Sequence, residues 1–194
     1  MSNEWDEYAG GWDVDKSVLE YADNAYYQLI ENCNLEGMTV LDFGCGTGSL
    51  TQLISPTAQS IVAIDSSPEM IKYLEMKKLN NVMSISDYLS KELILERPEF
   101  NSKFDLIVAS YVCSFLPDYE ETLGLLKSLL KEGGIFMQWD WLSNDDSSGM
   151  GLSEKRVKKA FESNRFTNTK ITSPFIMNSS KGNMPVLMAI GENA

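Results

Sequence analysis

The run Val40-Leu41-Asp42-Phe43-Gly44-Cys45-Gly46-Thr47-Gly48-Ser49-Leu50, with Asp65 closing the next apolar stretch, constrains this chain more than any other segment. It reads as a buried strand, a glycine-rich turn and the start of a helix. Asp65 follows Gly44 by 21 residues. Gly44 and Gly46 can take positive φ and let a ligand approach the backbone with no Cβ between. A helix starting near Gly48 points unpaired N–H groups at the turn. A carboxylate at the tip of the second strand can accept hydrogen bonds from both hydroxyls of a ribose. These parts together make a grip for a nucleoside.

The glycine spacing narrows the ligand. A dinucleotide site prefers G-x-G-x-x-G, whose last glycine allows close helix–strand packing; here the pattern is G-x-G-x-G. Phosphate sites usually recruit Lys or Arg. Neither occurs between Thr39 and Ile71, while Asp42 and Asp65 are both acidic. The pocket therefore suits a ligand with a ribose, no phosphate and a positive charge. A nicotinamide-dependent oxidoreductase is a rival reading that the missing glycine and missing cations weaken.

From Met38 onward, strand-like runs alternate with helical patterns, which indicates a parallel α/β sheet. Strands are expected near 38–43, 60–65, 81–86, 104–110, 134–140, 169–176 and 185–191, and helices near 17–33, 48–55, 67–79, 87–96, 119–131 and 153–164. Pro68 behind Ser66-Ser67 suits a serine-capped first turn. Gly133-Gly134 reads as the end of the helix that reaches Lys131. Only the polar link 178–183 joins the last two strands, so a hairpin is expected and the final strand runs antiparallel. Ligands of such sheets lie beyond the carboxyl ends of the strands. The glycine turn, Asp65, Asp87 and Ser110 map to that edge.

Here the chain resembles the class I S-adenosylmethionine-dependent methyltransferases. Val40–Leu50 matches the glycine motif, IVAIDSSPEMI (61–71) the ribose acid and its helix, and VMSISDYL (82–89) the adenine region; KFDLIVASYVCSFLPD (103–118) and LLKEGGIFMQW (129–139) follow in order. The resemblance covers roughly residues 38 to 140. It implies a three-layer Rossmann-like sandwich with a seven-stranded, mostly parallel sheet. It implies S-adenosylmethionine as cofactor, with S-adenosylhomocysteine as product. It places Gly44, Cys45 and Gly46 by the methionine part, Asp65 on the ribose with Ser66 and Met70 behind it, and Asp87 on the adenine amino group with Tyr88 beside the ring. Ser110 would offer its carbonyl near the methyl donor. Related small methyltransferases carry a Tyr-rich segment where WDEYAGGWD stands, which makes Tyr8 and Trp12 candidate lid contacts.

Each assignment has a plainer counterpart. Asp65 could merely cap a helix, and Asp87 could be an N-cap. Asp42 could orient the glycine turn or the cofactor's aminoacyl end. Cys45 reads as a small buried filler. Tyr8 and Trp12 could anchor the first helix, and Tyr111 could pack on the strand-five aromatics. Trp139, Asp140 and Trp141 could bind a flat or cationic acceptor or simply pack. A general base, where the acceptor needs one, would be Tyr8, Tyr111 or Asp140. Residues 142–153 form a polar loop that reads as a lid or as a connector.

The 194 residues are expected to form a single methyltransferase domain, with 1–36 as a helical lid segment and 37–194 as the catalytic core. There is no histidine, which excludes a His base and His-ligated metal. No metal site is expected. A net charge of −12 argues against nucleic acid and anionic membranes as partners. The run Lys155–Lys159 reads as a solvated helix face. With no signal-like start and three cysteines without paired spacing, a cytoplasmic protein is expected. Ten methionines would fill the core or a homodimer interface. The reading is a methyltransferase acting on oxygen or nitrogen of a small molecule. Its alternative is a catalytically silent, S-adenosylmethionine-binding regulator.

Overall fold

A computed structural model describes residues 5–144, 151–179 and 182–194. Its centre is a seven-stranded sheet in the order β3-β2-β1-β4-β5-β7-β6. The strands are β1 (Thr39–Phe43), β2 (Ser60–Asp65), β3 (Val82–Ser86), β4 (Phe104–Ser110), β5 (Leu130–Trp141), β6 (Phe166–Ser179) and β7 (Gly182–Asn193). The first five run parallel, and β7 is antiparallel to both β5 and β6. Strand order reverses between β1 and β4, which places a crevice beyond their carboxyl ends.

Alternate residues of the central strands face opposite layers. Val40, Leu106, Val108 and Met137 pack beneath α2 (Lys16–Asn32), α3 (Ser49–Ile54) and α4 (Pro68–Met76). Leu41, Ile107, Ala109 and Phe136 pack against α5 (Lys91–Glu96), α6 (Tyr119–Leu129) and α7 (Glu154–Ser163). The strands are apolar on both faces because both are covered. A short helix, α1 (Asp6–Trp12), precedes α2 and rests on α4.

Three boundaries differ from expectation. The 87–96 helix begins only at Lys91, because Ser90 supplies the cap by accepting from Leu93 N at 3.1 Å. Asp87 is therefore no N-cap. α6 stops at Leu129, and Leu130 already pairs with Phe104, so Gly133-Gly134 lies inside β5 at a register shift rather than at a helix end. The hairpin strands are longer than expected, with pairing that reaches Ser179↔Gly182. The expected serine cap of α4 forms, Ser67 Oγ accepting from Met70 N. In the loop read as a lid, residues 145–150 lie outside the described residues. Its flanks are pinned, Leu152 N donating to the Trp141 carbonyl at 2.9 Å.

Candidate active site

The carboxyl edge of the sheet holds a cleft of about 870 Å³. Its floor is the glycine turn. Gly44 N and Cys45 N both donate to the Ile64 carbonyl, at 2.8 and 3.1 Å, which locks the turn to the tip of β2. Gly44 has φ +70°, and a Cβ there would stand 2.4 Å from Val112 Cγ2. Gly48 has φ +80°, with Leu74 Cδ1 2.3 Å from where a Cβ would be, so α3 and α4 meet through that glycine. It does the close-packing work that the last glycine of a dinucleotide motif does, one position earlier.

Asp65 sits where β2 ends. One carboxylate oxygen accepts from Gly46 N at 2.8 Å and the other from Ser67 N at 2.9 Å. The Ser66 N–H bonds the carboxylate as well, so about one of its roughly four lone-pair positions remains for a ligand. Burial raises its pKa, and these N–H bonds oppose the rise. Asp65 thus braces both the glycine turn and the start of α4, the capping role and the ligand role being compatible. Asp42 lies below, fully buried, accepting from Thr51 Oγ1 at 2.6 Å. Burial pushes its pKa up to about 7, against the Thr51 bond, and the Asp65 charge adds to the rise.

Trp12, Cys45, Ser66, Met70 and Ser110 line the cleft as well. Burial raises the Cys45 thiol far above its ordinary range, which suits a filler and not a nucleophile. Asp87 and Tyr88 stand at the mouth, Tyr88 being 69% exposed. The Asp87 carboxylate accepts from Tyr88 N, while its own N–H donates to the Asp65 carbonyl.

The lid segment is tied down at this end. Asp13, just past α1, accepts from Thr47 Oγ1 at 2.5 Å and Ser49 Oγ at 3.2 Å, and pairs with Lys77 at 3.1 Å. Asp6 accepts from Ser67 Oγ at 2.5 Å. Trp5 reaches the opposite wall, its ring edge-on to Phe115 at 4.9 Å. These acidic tethers lacked a sequence signal, since nothing local marks a carboxylate whose partners lie 34 and 36 positions away.

Two candidate bases are not on the cleft. Tyr8 is 58% exposed and is absent from the lining; α1 turns it outward while Trp5 and Trp12 face in. Asp140 is sealed on the far side of the sheet. It accepts from Ser114 N at 3.0 Å and Gln138 Nε2 at 3.3 Å, and Tyr119 in turn donates to Gln138 at 2.7 Å. Burial pushes Asp140 up to about 7. It holds the turn Cys113–Phe115 rather than meeting a ligand. Trp139 is likewise fully buried. Period-two alternation along β5 explains both: Trp139 and Trp141 share one face and Asp140 takes the other.

Tyr111 does line the cleft. It has φ +57°, a conformation costly for an aromatic residue and typical of functional sites. Its N–H donates to the Trp139 carbonyl at 2.8 Å, and its ring meets Phe115 at 5.1 Å and Trp141 at 5.5 Å. Tyr111 thus packs on a strand-five aromatic and also borders the cleft. Tyr21 of α2 completes this wall, a residue that the sequence analysis did not single out.

Residues 18–178 match the family described as methyltransferase domain, and the chain belongs to it. The fold is that of a Rossmann-like, S-adenosylmethionine-dependent methyltransferase domain. An uncharacterized methyltransferase of Schizosaccharomyces pombe is 30% identical over 133 residues, which is 63% of this chain and 45% of the relative. A ubiquinone biosynthesis O-methyltransferase of Xanthomonas euvesicatoria is 31% identical over 140 residues, 69% of this chain and 54% of the relative. The chain spans about half the length of the curated relatives it matches. Among solved structures, a DhpI complex with SAM and HEP superposes with a TM-score of 0.73 at 17% identity, covering 96% of this chain and 93% of that one. A SAM-dependent methyltransferase from Aquifex aeolicus gives 0.71 at 22% identity, covering 97% and 98%. At such identities the likeness concerns the fold. Among the described residues, no helix is long and apolar enough to cross a membrane.

Proposed function

We propose that the chain transfers a methyl group from S-adenosylmethionine to the oxygen or nitrogen of a small molecule. One observation carries this reading: Asp65 lines the cleft and ties the glycine turn to α4 through Gly46 N and Ser67 N. The rest of the cleft fits the cofactor. No Lys or Arg is among the described lining residues to oppose a sulfonium. Gly46 leaves the backbone bare beneath Trp12, whose Nε1 would stand 3.6 Å from a Cβ at that point. An indole can stabilise a nearby cation through its ring face.

In this reading Asp65 takes the ribose, with Ser66 and Met70 beside it. Asp87 and Tyr88 serve the adenine end. Asp42, Gly44, Cys45 and Gly46 support the methionine part, and Ser110 and Tyr111 border the reacting methyl. Residues 1–36 act as the lid segment of a single methyltransferase domain, and 37–194 as its catalytic core. When bound, S-adenosylmethionine supplies a methyl carbon on a positive sulfur, so the leaving group is a neutral thioether. The protein then has mainly to orient an acceptor and exclude water. In favourable systems such positioning contributes about 7–11 kcal/mol. In this reading Tyr111, which lines the cleft, is the candidate for it, since Tyr8 and Asp140 lie off the cleft.

Calorimetry with S-adenosylmethionine, S-adenosylhomocysteine and NAD tests the reading. The first two are expected to bind with Kd of about 1–100 μM. Asp65→Ala should weaken them about a hundredfold, from the loss of charge-assisted hydrogen bonds. A preference for NAD would overturn the assignment. Binding without S-adenosylhomocysteine formation from any acceptor would favour the silent regulator.

A further inference from the structure

The far end of the cleft is built of aromatic rings. Tyr21, Tyr111, Trp141 and Phe115 line it. Tyr21 meets Trp141 edge-on at 5.3 Å and Tyr111 at 5.8 Å. Phe175 of β6 backs Tyr21 at 5.6 Å. Rings so arranged hold one another in place and leave flat apolar surface toward the cleft.

Within this wall one polar atom has no use in the described structure. The Tyr21 hydroxyl is buried and has no hydrogen-bond partner among the described residues. An unmade hydrogen bond at a buried hydroxyl is costly, and native proteins rarely leave one unmatched without a reason. Burial keeps the phenol protonated, and the charge of Asp140 adds to that effect. The group is therefore a donor in need of a lone pair. The described lining residues of the cleft include no Lys or Arg and four acids, Asp15, Asp42, Asp65 and Asp87. Such a cleft disfavours a carboxylate or phosphate. An ammonium could use the Tyr21 oxygen but would leave its proton without an acceptor.

Resting on the methyltransferase reading above, we propose that this aromatic end is the acceptor subsite. It takes an uncharged planar acceptor that bears an oxygen or ring nitrogen, with Tyr21 as the residue that recognises that atom. The rings select flatness, the acidic surroundings exclude anions, and the phenol fixes the acceptor's orientation relative to Ser110 and Tyr111.

The test uses the full chain saturated with S-adenosylhomocysteine and three probes of similar size: catechol, benzoate and benzylamine. Saturation by S-adenosylhomocysteine is measured first. If it fails, the methyltransferase reading fails, and the subsite proposal falls with it. With the cofactor product bound, catechol is expected to bind about tenfold or more tightly than either charged probe. Tyr21→Phe should weaken catechol about tenfold and leave S-adenosylhomocysteine affinity within about twofold. Equal catechol binding by wild type and variant overturns the role of Tyr21. So does a parallel loss of both ligands, which would make the residue structural. Preference for benzoate or benzylamine overturns the substrate class. The ranking of the probes on wild type requires no variant, so it decides the class even where Tyr21→Phe does not fold.

Discussion

At one end of the cleft the backbone does the shaping; at the other, side chains from separated segments do. The glycine end consists of consecutive residues whose positive φ and inward N–H groups are fixed by β1, β2 and the turn between β1 and α3. The aromatic end gathers Tyr21 from α2, Tyr111 and Phe115 from the segment after β4, and Trp141 from the end of β5. A site encoded locally can be read locally. A site assembled across the chain is visible only once the fold has brought its parts together.

The two ends touch where Val112 occupies the space that a Gly44 side chain would need. Gly44→Ala is expected to have the largest effect of any change here. It combines a disfavoured φ with overpacking against Val112, together costing about 2–5 kcal/mol. Urea unfolding should show this, with cofactor affinity falling as well. Adding Val112→Ala should recover the packing part and leave the φ penalty. Strict additivity of the two changes would show that the ends are independent.

A second, smaller effect sharpens the description of the aromatic end. The Asp140 carboxyl is held near pKa 7 in the folded chain by burial, against about 3.9 when unfolded. The folded state therefore holds this proton more tightly. The associated stability is intact below about pH 4 and is lost as pH rises through about 7. The slope is at most about 1.4 kcal/mol per pH unit. Asp140→Asn removes that dependence, so wild type should lose stability relative to the variant between about pH 4 and pH 7. Denaturant unfolding of both proteins across that range measures it. A constant difference would mean that the group does not titrate in this window.

The smallest effect concerns the lid. Asp13→Ala removes two hydroxyl partners and the Lys77 pair. The pair is partly exposed, and such pairs contribute little. A rise of about two- to tenfold in the dissociation rate of S-adenosylhomocysteine is expected in stopped-flow displacement, with little change in unfolding. If acceptor probes are affected as strongly as the cofactor product, the lid serves both ends.

Much of the fold was legible because strands buried on both faces have an unmistakable apolar pattern and the turns between them carry Gly, Pro and Ser. Val40, Leu106 and Met137 needed no tertiary knowledge to be placed. Asp65 was legible for the same reason, standing at the end of its strand. Asp140 was misread because strand alternation puts it on the face opposite Trp141, and the site lies on the Trp141 side. Tyr8 was misread because α1 was not anticipated: Gly10 and Gly11 within it weaken the helical pattern. Tyr21 was missed because a buried tyrosine on an amphipathic helix has no local mark that separates a wall of a site from ordinary core.

The arrangement of the four tryptophans has a practical consequence. Trp5 and Trp12 stand over the glycine end, Trp141 stands in the aromatic wall, and Trp139 is shut away from both. The protein thus carries its own optical gauge. Filling either end changes the polarity around an indole, while Trp139 contributes a steady background. Conservative replacement of the lid indoles would leave Trp141 to report on the aromatic end by itself, so the occupancy of each end can be followed in the same cuvette without a label.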